Sequence, residues 1–317
     1  MTPDHQTLSV KSTNVRLLKS PSSSLPRTRD VALAGPGASL AQAALRGLVR
    51  VAPRAAEAAV AYLFSVPPAV RAEAPPAVAG VAPVRFTVTL ERHRMNVWQW
   101  GSGPAVMLVH GWGGQVNQML PFVAPLLAAG YRVVAPELPG HGARGPRSVT
   151  LLDFVYALQK AGDFVGRADA VIAHSLGATA AALALSRGLW ADRAVLFAPP
   201  AEVPYFVRRL AALLGLPPGR AGGVLRRVER RIGVPLENLD LRRVARKLLI
   251  PALFIHDPAD RETPYGHSQA VTQAWPDACL LTTAGLGHRR VLEDPATLAA
   301  VLEFVGGGDC RQERASA

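Results

Sequence analysis

Short apolar runs recur along this chain, separated by stretches long enough for helices. Residues 84–90 and 95–100 flank a short polar turn, the pattern of an antiparallel hairpin. Residues 105–109 are apolar throughout, as a strand covered on both faces requires. The runs at 131–135, 168–173, 193–197, 251–255 and 278–281 continue the rhythm, with 118–129 reading as a helix before the first of them. Strands alternating with helix-length segments predict an α/β fold, a mostly parallel sheet with helices on both faces. The roughly fifty residues between Phe197 and Pro251 exceed an ordinary crossover. Their Leu/Arg patterning, interrupted at Pro217-Pro218-Gly219, predicts two to four helices set over the sheet edge as a lid.

Upstream of the first strand the pattern changes. Residues 1–30 are rich in Ser, Pro and Thr without a long apolar run, which predicts a flexible leader and not a secretory signal. Residues 39–64 return apolar side chains to one helical face, and Pro53 either breaks that helix or begins a second. Residues 67–83, with five prolines, read as an extended connector. The expected plan is therefore a leader, helical segment and connector over 1–83, an α/β domain over 84–306 with a lid at 198–250, and a tail over 307–317.

Of the 317 residues 49% are hydrophobic, enough for a large core. The net charge of +12 is localised: residues 1–80 carry nine Lys/Arg against four Asp/Glu, residues 198–250 eleven against four, and the rest balances. A solvated basic surface is the plain reading. Peripheral contact with an anionic membrane is the sharper one, since Arg46, Arg50 and Arg54 share a polar stripe of the 39–64 segment. No zinc finger or aromatic RNA-binding signature supports a nucleic-acid module. Two cysteines, Cys279 and Cys310, make no disulfide framework and no zinc cluster; the plain expectation is one buried thiol and one near the tail, with a single bridge as the alternative. No uninterrupted apolar stretch is long enough for a transmembrane helix, so the expected location is cytoplasmic.

The candidate chemistry begins at Ala173-His174-Ser175-Leu176-Gly177, which lies between an apolar run and the small-residue segment 178–185. Small residues on both sides of Ser175 let a strand turn sharply into a helix and present the serine hydroxyl at the sheet edge. With three further motifs, the chain resembles the α/β-hydrolase superfamily over about residues 84–306, in its lid-containing serine esterase and lipase-like branch. His110-Gly111-Trp112-Gly113-Gly114 follows an apolar strand and resembles the oxyanion loop. Pro136-Glu137-Leu138-Pro139-Gly140-His141-Gly142 resembles the family's Asp-x-Pro-Gly-His-Gly turn, with Glu137 in place of the aspartate. Asp260, four positions before Pro264, and His288, after Gly285-Leu286-Gly287, match the acid and histidine loops.

The resemblance implies a catalytic triad of Ser175, Asp260 and His288, with the backbone N–H groups of Trp112 and Leu176 forming the oxyanion hole. It implies no cofactor, and no His-x-His or His-Glu-x-x-His spacing points to a metal. Asp257 competes with Asp260 as the acid, and Glu262 does so more weakly. His110 and His141 read as braces of their loops, His174 as a neighbour of the elbow, and His256 and His267 as surface or packing residues. Trp112 reads as a wall of an acyl pocket, and Leu210, Leu213, Leu214 and Leu216 either close over that pocket or pack the lid on the core. The implied activity is hydrolysis of a carboxylic ester of a small or lipid-like substrate through an acyl-enzyme. The alternative is a noncatalytic protein that uses this fold to bind an anionic or hydrophobic ligand.

Overall fold

Ala105–Val109 (β3) is buried at every position, and its side chains alternate between two cores: Met107 and Val109 enter one, Val106 and Leu108 the other. That alternation marks a strand inside a three-layer structure, and its neighbours extend the pattern. The computed structural model describes residues 43–44, 47–68, 73–91, 94–141 and 148–309. The leader, the beginning of the 39–64 helix and Cys310 lie outside them.

Among the described residues, eight strands form one sheet in the order β1-β2-β4-β3-β5-β6-β7-β8. They are Val84–Thr89 (β1), Arg94–Trp100 (β2), β3, Arg132–Pro136 (β4), Ala168–His174 (β5), Ala191–Phe197 (β6), Ala252–His256 (β7) and Ala278–Thr282 (β8). The hairpin β1–β2 is antiparallel and joins β4 antiparallel, while every pairing from β4 to β8 is parallel. Parallel neighbours need crossovers, and these put helices on both faces. One face carries Leu151–Val165 (α3), Leu176–Leu185 (α4) and Tyr265–Ala274 (α8); the other carries Val123–Ala128 (α2) and Pro295–Val305 (α9).

One crossover differs from the sequence expectation. The helix expected over 118–129 begins as a 3-10 segment, Val116–Phe122, and is α-helical only over Val123–Ala128. Pro121 lies inside the first part and has no N–H for an α-helical bond. Leu151–Val165 is capped reciprocally: Thr150 N–H donates to Asp153 Oδ2 at 2.6 Å and Asp153 N–H to Thr150 Oγ1 at 3.3 Å.

Between β6 and β7 the insertion folds into three α-helices, Val203–Leu213 (α5), Ala221–Ile232 (α6) and Leu241–Ala245 (α7), with 3-10 turns at Pro218–Arg220 and Leu236–Leu239. It breaks where the prolines are. Leu214 and Leu216 are buried in the larger core, so they pack the lid down and do not close over a pocket.

The segment before the sheet is part of the same packing. Residues 47–51 are helical, and Pro53 opens the next helix, Pro53–Phe64 (α1), at its first position, where its missing N–H costs nothing. Ala56, Val60 and Ala61 of α1 are buried in the core that also takes Val224 and Val228 of α6. Glu57, only 7% exposed, faces Arg220 at 3.5 Å and Arg227 at 3.7 Å. It lies so close to Gly223 that a Cβ there would strike its carboxylate. A buried charge with two partners adds little net stability but fixes which helix faces which. Past α1, Ser65 accepts the N–H of Val149 at 2.7 Å, Pro67 lies against Gly140 and Pro68 against Gly113.

Among the described residues, no helix is long and apolar enough to cross a membrane. Cys279 is disulfide-bonded, which corrects the expectation of a buried thiol.

Candidate active site

The turn after β5 is built by the residues flanking Ser175. Ser175 has φ 53° and ψ −128°, a conformation L-residues rarely adopt, and its N–H is tied to the Phe197 carbonyl at 2.8 Å. The helix Leu176–Leu185 starts at the next residue. Its small side chains let it lie against the sheet, and a Cβ at Gly177 would run into the His110 carbonyl. Gly111 is equally constrained, since a Cβ there would come within 2.9 Å of Ser175 Cβ. The loop after β3 and the elbow after β5 therefore touch through bare backbone.

The carboxylate at His288 is Asp260. His288 Nδ1 donates to Asp260 Oδ2 at 2.6 Å, and the Asp260 side chain has 0% exposure. Asp260 Oδ1 accepts the N–H groups of Glu262 at 2.7 Å and Thr263 at 2.9 Å. Burial pushes this carboxyl up, but donors from His256 and His288 and the Thr263 N–H outweigh it and hold the group well below the usual carboxylate range. Asp257 does different work: it accepts Leu286 N–H at 2.7 Å and Thr283 Oγ1 at 3.0 Å, bracing the loop that carries His288. Burial raises it too, and the Leu286 and Ala259 N–H groups hold it low. Glu262 sits outside, with Oε2 3.9 Å from His288 Nε2 and Oε1 3.1 Å from Arg289 Nε.

The residue before Ser175 in the chain, His174, touches this pair. His174 Nε2 donates to the His288 carbonyl at 2.9 Å, and the two imidazoles lie 4.6 Å apart. Ser175, Asp260 and His288 all follow the C-terminal ends of parallel strands, where open α/β sheets bind ligands. Leu176 is the first residue of its helix, so its N–H has no partner inside the helix and faces the positive dipole end. Trp112 lies half-buried in the loop after β3, its ring 5.6 Å from His141 and 5.8 Å from Phe154. The indole is thus packed among core aromatics.

Two other histidines hold that loop. His110 Nδ1 donates to the Gly111 carbonyl at 2.9 Å, and its Nε2 accepts Leu138 N–H at 3.1 Å. His141 Nδ1 donates to the Pro139 carbonyl at 2.9 Å while Nε2 accepts Gly113 N–H at 2.8 Å, so it braces the 110–114 loop across space as well as its own turn. An imidazole that accepts an N–H must be neutral. Glu137 accepts Asn96 Nδ2 at 2.9 Å, tying the same turn to β2. From the lid, Arg209 of α5 donates to the carbonyls of Arg261 at 2.7 Å and Glu262 at 3.1 Å.

These neutral histidines make the fold acid-sensitive. Burial pushes His110 and His174 from 6.5 down to about 3, and a proton on the neighbouring histidine, His141 or His288, would push each the same way. A folded-state value below the unfolded one means that the unfolded chain binds more protons between pH 6.5 and 3. Their contribution is present above pH 6.5 and lost as the pH falls toward 3, at roughly 1.4 kcal/mol per pH unit for each histidine. Denaturant unfolding should therefore show lower stability at about pH 5 than at about pH 7; equal stability at the two would contradict the neutral pair.

Sequence reasoning placed His256 among surface or packing residues; it is fully buried and donates to Asp260 Oδ2 at 3.1 Å. Nothing in its spacing announces that role, because a histidine at the end of a strand is common. The bond from Arg209 to the acid loop had no sequence signal either.

The comparisons agree with this architecture. A pimeloyl-[acyl-carrier protein] methyl ester esterase of Xanthomonas oryzae pv. oryzae is 30% identical over 232 residues, covering 61% of this chain and 91% of that protein. A dihydrolipoyllysine-residue acetyltransferase component of the acetoin cleaving system of Cupriavidus necator is 38% identical over 85 residues, and there the chain spans only 22% of its relative's length. An esterase structure from Pyrococcus furiosus has the same fold at a TM-score of 0.62 and 20% identity, covering 76% of this chain and 98% of the other. The profile of the Alpha/beta hydrolase family matches residues 106–301, from the strand before the glycine loop to the last helix, and this chain belongs to that family.

Proposed function

We propose that this protein is a serine hydrolase that cleaves a carboxylic ester of a small or lipid-like substrate through an acyl-enzyme intermediate. The observation that carries the reading is the 2.6 Å bond between His288 Nδ1 and Asp260 beside a serine held at φ 53° on a strand-to-helix turn. With Nδ1–H committed to Asp260, Nε2 of a neutral His288 is the ring's free base. It takes the proton of Ser175 as Oγ attacks the acyl carbonyl, and Asp260 stabilises the imidazolium that forms. The N–H groups of Leu176 and Trp112 receive the oxyanion. His288 then returns the proton to the leaving alcohol, and a water repeats the sequence to free the acid and regenerate Ser175.

Family membership and an esterase relative aligned over most of its length support the hydrolytic, ester-cleaving part of this reading. The acid–base pair is supported by the His288–Asp260 bond, and the roles of Ser175, Trp112 and Leu176 by their places on the elbow and in the glycine loop. A p-nitrophenyl ester series and a fluorophosphonate probe test it, each with wild type and Ser175→Ala. Turnover and labelling should be confined to wild type; equal activity in the two would overturn the proposal. Failure of the probe to label wild type would instead favour the noncatalytic, ligand-binding use of the fold.

Peripheral contact with an anionic membrane is the second part of the proposal, favoured by one surface. Arg226, Arg230 and Arg231 of α6 and Arg54 of α1 are exposed on helices that pack together, and the Arg231 guanidinium lies 5.5 Å from the centre of the exposed Tyr62 ring of α1. Sedimentation should show binding to phosphatidylglycerol vesicles at low salt that weakens as salt rises; no binding at low salt removes this part.

A further inference from the structure

We infer that His256 is a positioning residue for the Asp260–His288 pair, acting on His288 only through the Asp260 carboxylate. The inference deepens the hydrolase proposal and rests on it for its kinetic consequence.

His256 is the last residue of β7 and is wholly buried. Its Nε2 lies 3.2 Å from the Thr263 carbonyl and 3.1 Å from Asp260 Oδ2, both acceptors only, so Nε2 carries the proton. In the neutral ring Nδ1 is then an acceptor, and Ser268 Oγ stands 2.7 Å away with a hydroxyl to donate. The Tyr265 ring meets the imidazole edge-on at 5.5 Å and limits its rotation. Ser268 and Thr263 therefore set the tautomer, and the tautomer aims an N–H at the acid.

The consequence falls on Asp260 Oδ2, the one oxygen that serves both histidines. With Oδ1 taken by two backbone N–H groups, four donors hold the carboxylate in one plane, and that plane points Oδ2 at His288. Removing the His256 donor does two things. It frees the carboxylate to rotate, which misplaces His288. It also concentrates negative charge on the bond to His288, which holds the imidazolium more tightly and slows return of its proton. The titratable groups around His256 are Asp260, Tyr265 and His267, with His288 and Glu262 beyond the carboxylate and Asp257 next in the chain.

The test uses His256→Phe, which fills the space without a donor, and His256→Gln, which restores an N–H near Nε2. The Phe variant should lose about 10- to 100-fold in kcat on a p-nitrophenyl ester with KM little changed. The acid limb of its kcat/KM profile should move to higher pH, and the Gln variant should recover both. A second readout needs no turnover: the pH at which the His288 ring resonances respond in NMR should rise in His256→Phe and return in His256→Gln. Ser268→Ala, which leaves the ring in place, should move the same limb by less and covers the case where the Phe variant does not fold. Equal losses in Phe and Gln variants, or a lowered Tm with an unmoved pH profile and unmoved His288 resonances, would overturn the inference. If wild type turns over no ester while the His288 resonances still shift, the hydrolase proposal falls and the positioning role stands.

Discussion

Ser175→Ala should lower kcat on an activated ester by about 10,000-fold or more while leaving the fold intact. The size follows from which parts are lost and which remain. The substitution deletes the nucleophile outright, and His288 and Asp260 then have no alcohol to activate. In serine hydrolases that have been dissected this way, losing the nucleophile costs about as much as losing the whole triad, and the residual rate comes from binding and the oxyanion donors. Stability should change little. Alanine keeps the Cβ that meets Gly111, and the φ of 53° is set by the Ser175 N–H bond to Phe197 and the helix that follows, both of which survive. Circular dichroism and Tm beside steady-state kinetics would check both halves, and activity within tenfold of wild type would displace Ser175 from the role proposed for it.

Asp260→Asn carries the second large expectation, a loss of about 10,000-fold in kcat. Asparagine matches aspartate in shape, but only one of its two terminal atoms accepts hydrogen bonds. The Asp260 oxygens now receive N–H groups from Glu262 and Thr263 on one side and from His256 and His288 on the other. An amide that keeps its oxygen toward the backbone presents NH2 to His288. His288 must then accept at Nδ1, which moves its proton to Nε2 and removes the base that Ser175 needs. An amide turned the other way presents NH2 to two backbone donors in a buried site, at a cost of about 1–3 kcal/mol per group left unsatisfied. The kinetic loss should therefore come with a lower Tm, and its pH profile should lack the wild-type acid limb. Asp257→Asn makes the contrast: it disturbs the brace under the histidine loop and leaves the carboxylate at His288 in place.

The strands were legible because their chemistry is local. Ala105–Val109 is apolar at all five positions, and its bounds match the expected run. The elbow was legible for a related reason: the sharp turn at Ser175 requires small neighbours, and a requirement of that kind is written in adjacent residues. Less was readable where proline or distance decides. The run at 118–129 has helical periodicity, yet Pro121 makes its first half a 3-10 helix. Thr150 and Asp153 at capping-box spacing announced the helix Leu151–Val165, a signal that apolar periodicity alone passes over. Asp257 and Asp260 look alike in sequence, both in the loop after β7. Only the path of that loop brings one to His288 and the other to Leu286 N–H. His256 is buried, in line with a packing histidine, but its bond to the acid was hidden for the same reason, since its partners Asp260 and Ser268 come to it by a turn and a helix start that no periodicity describes.

The two prolines that follow α1 have a consequence for how this chain differs from a trimmed version of itself. Pro68 lies on Gly113 of the glycine loop and Pro67 on Gly140 of the neighbouring turn, while Glu57, ten residues earlier, is clamped by Arg220 and Arg227 of the insertion. One short stretch of chain thus touches the glycine loop at one end and the helical insertion at the other. It lies wholly before residue 106, where the match to the family begins. The boundary of the family match is therefore not the boundary of the packing around the glycine loop, and a protein cut to residues 106–301 would lose the segment that ties that loop to the helical insertion.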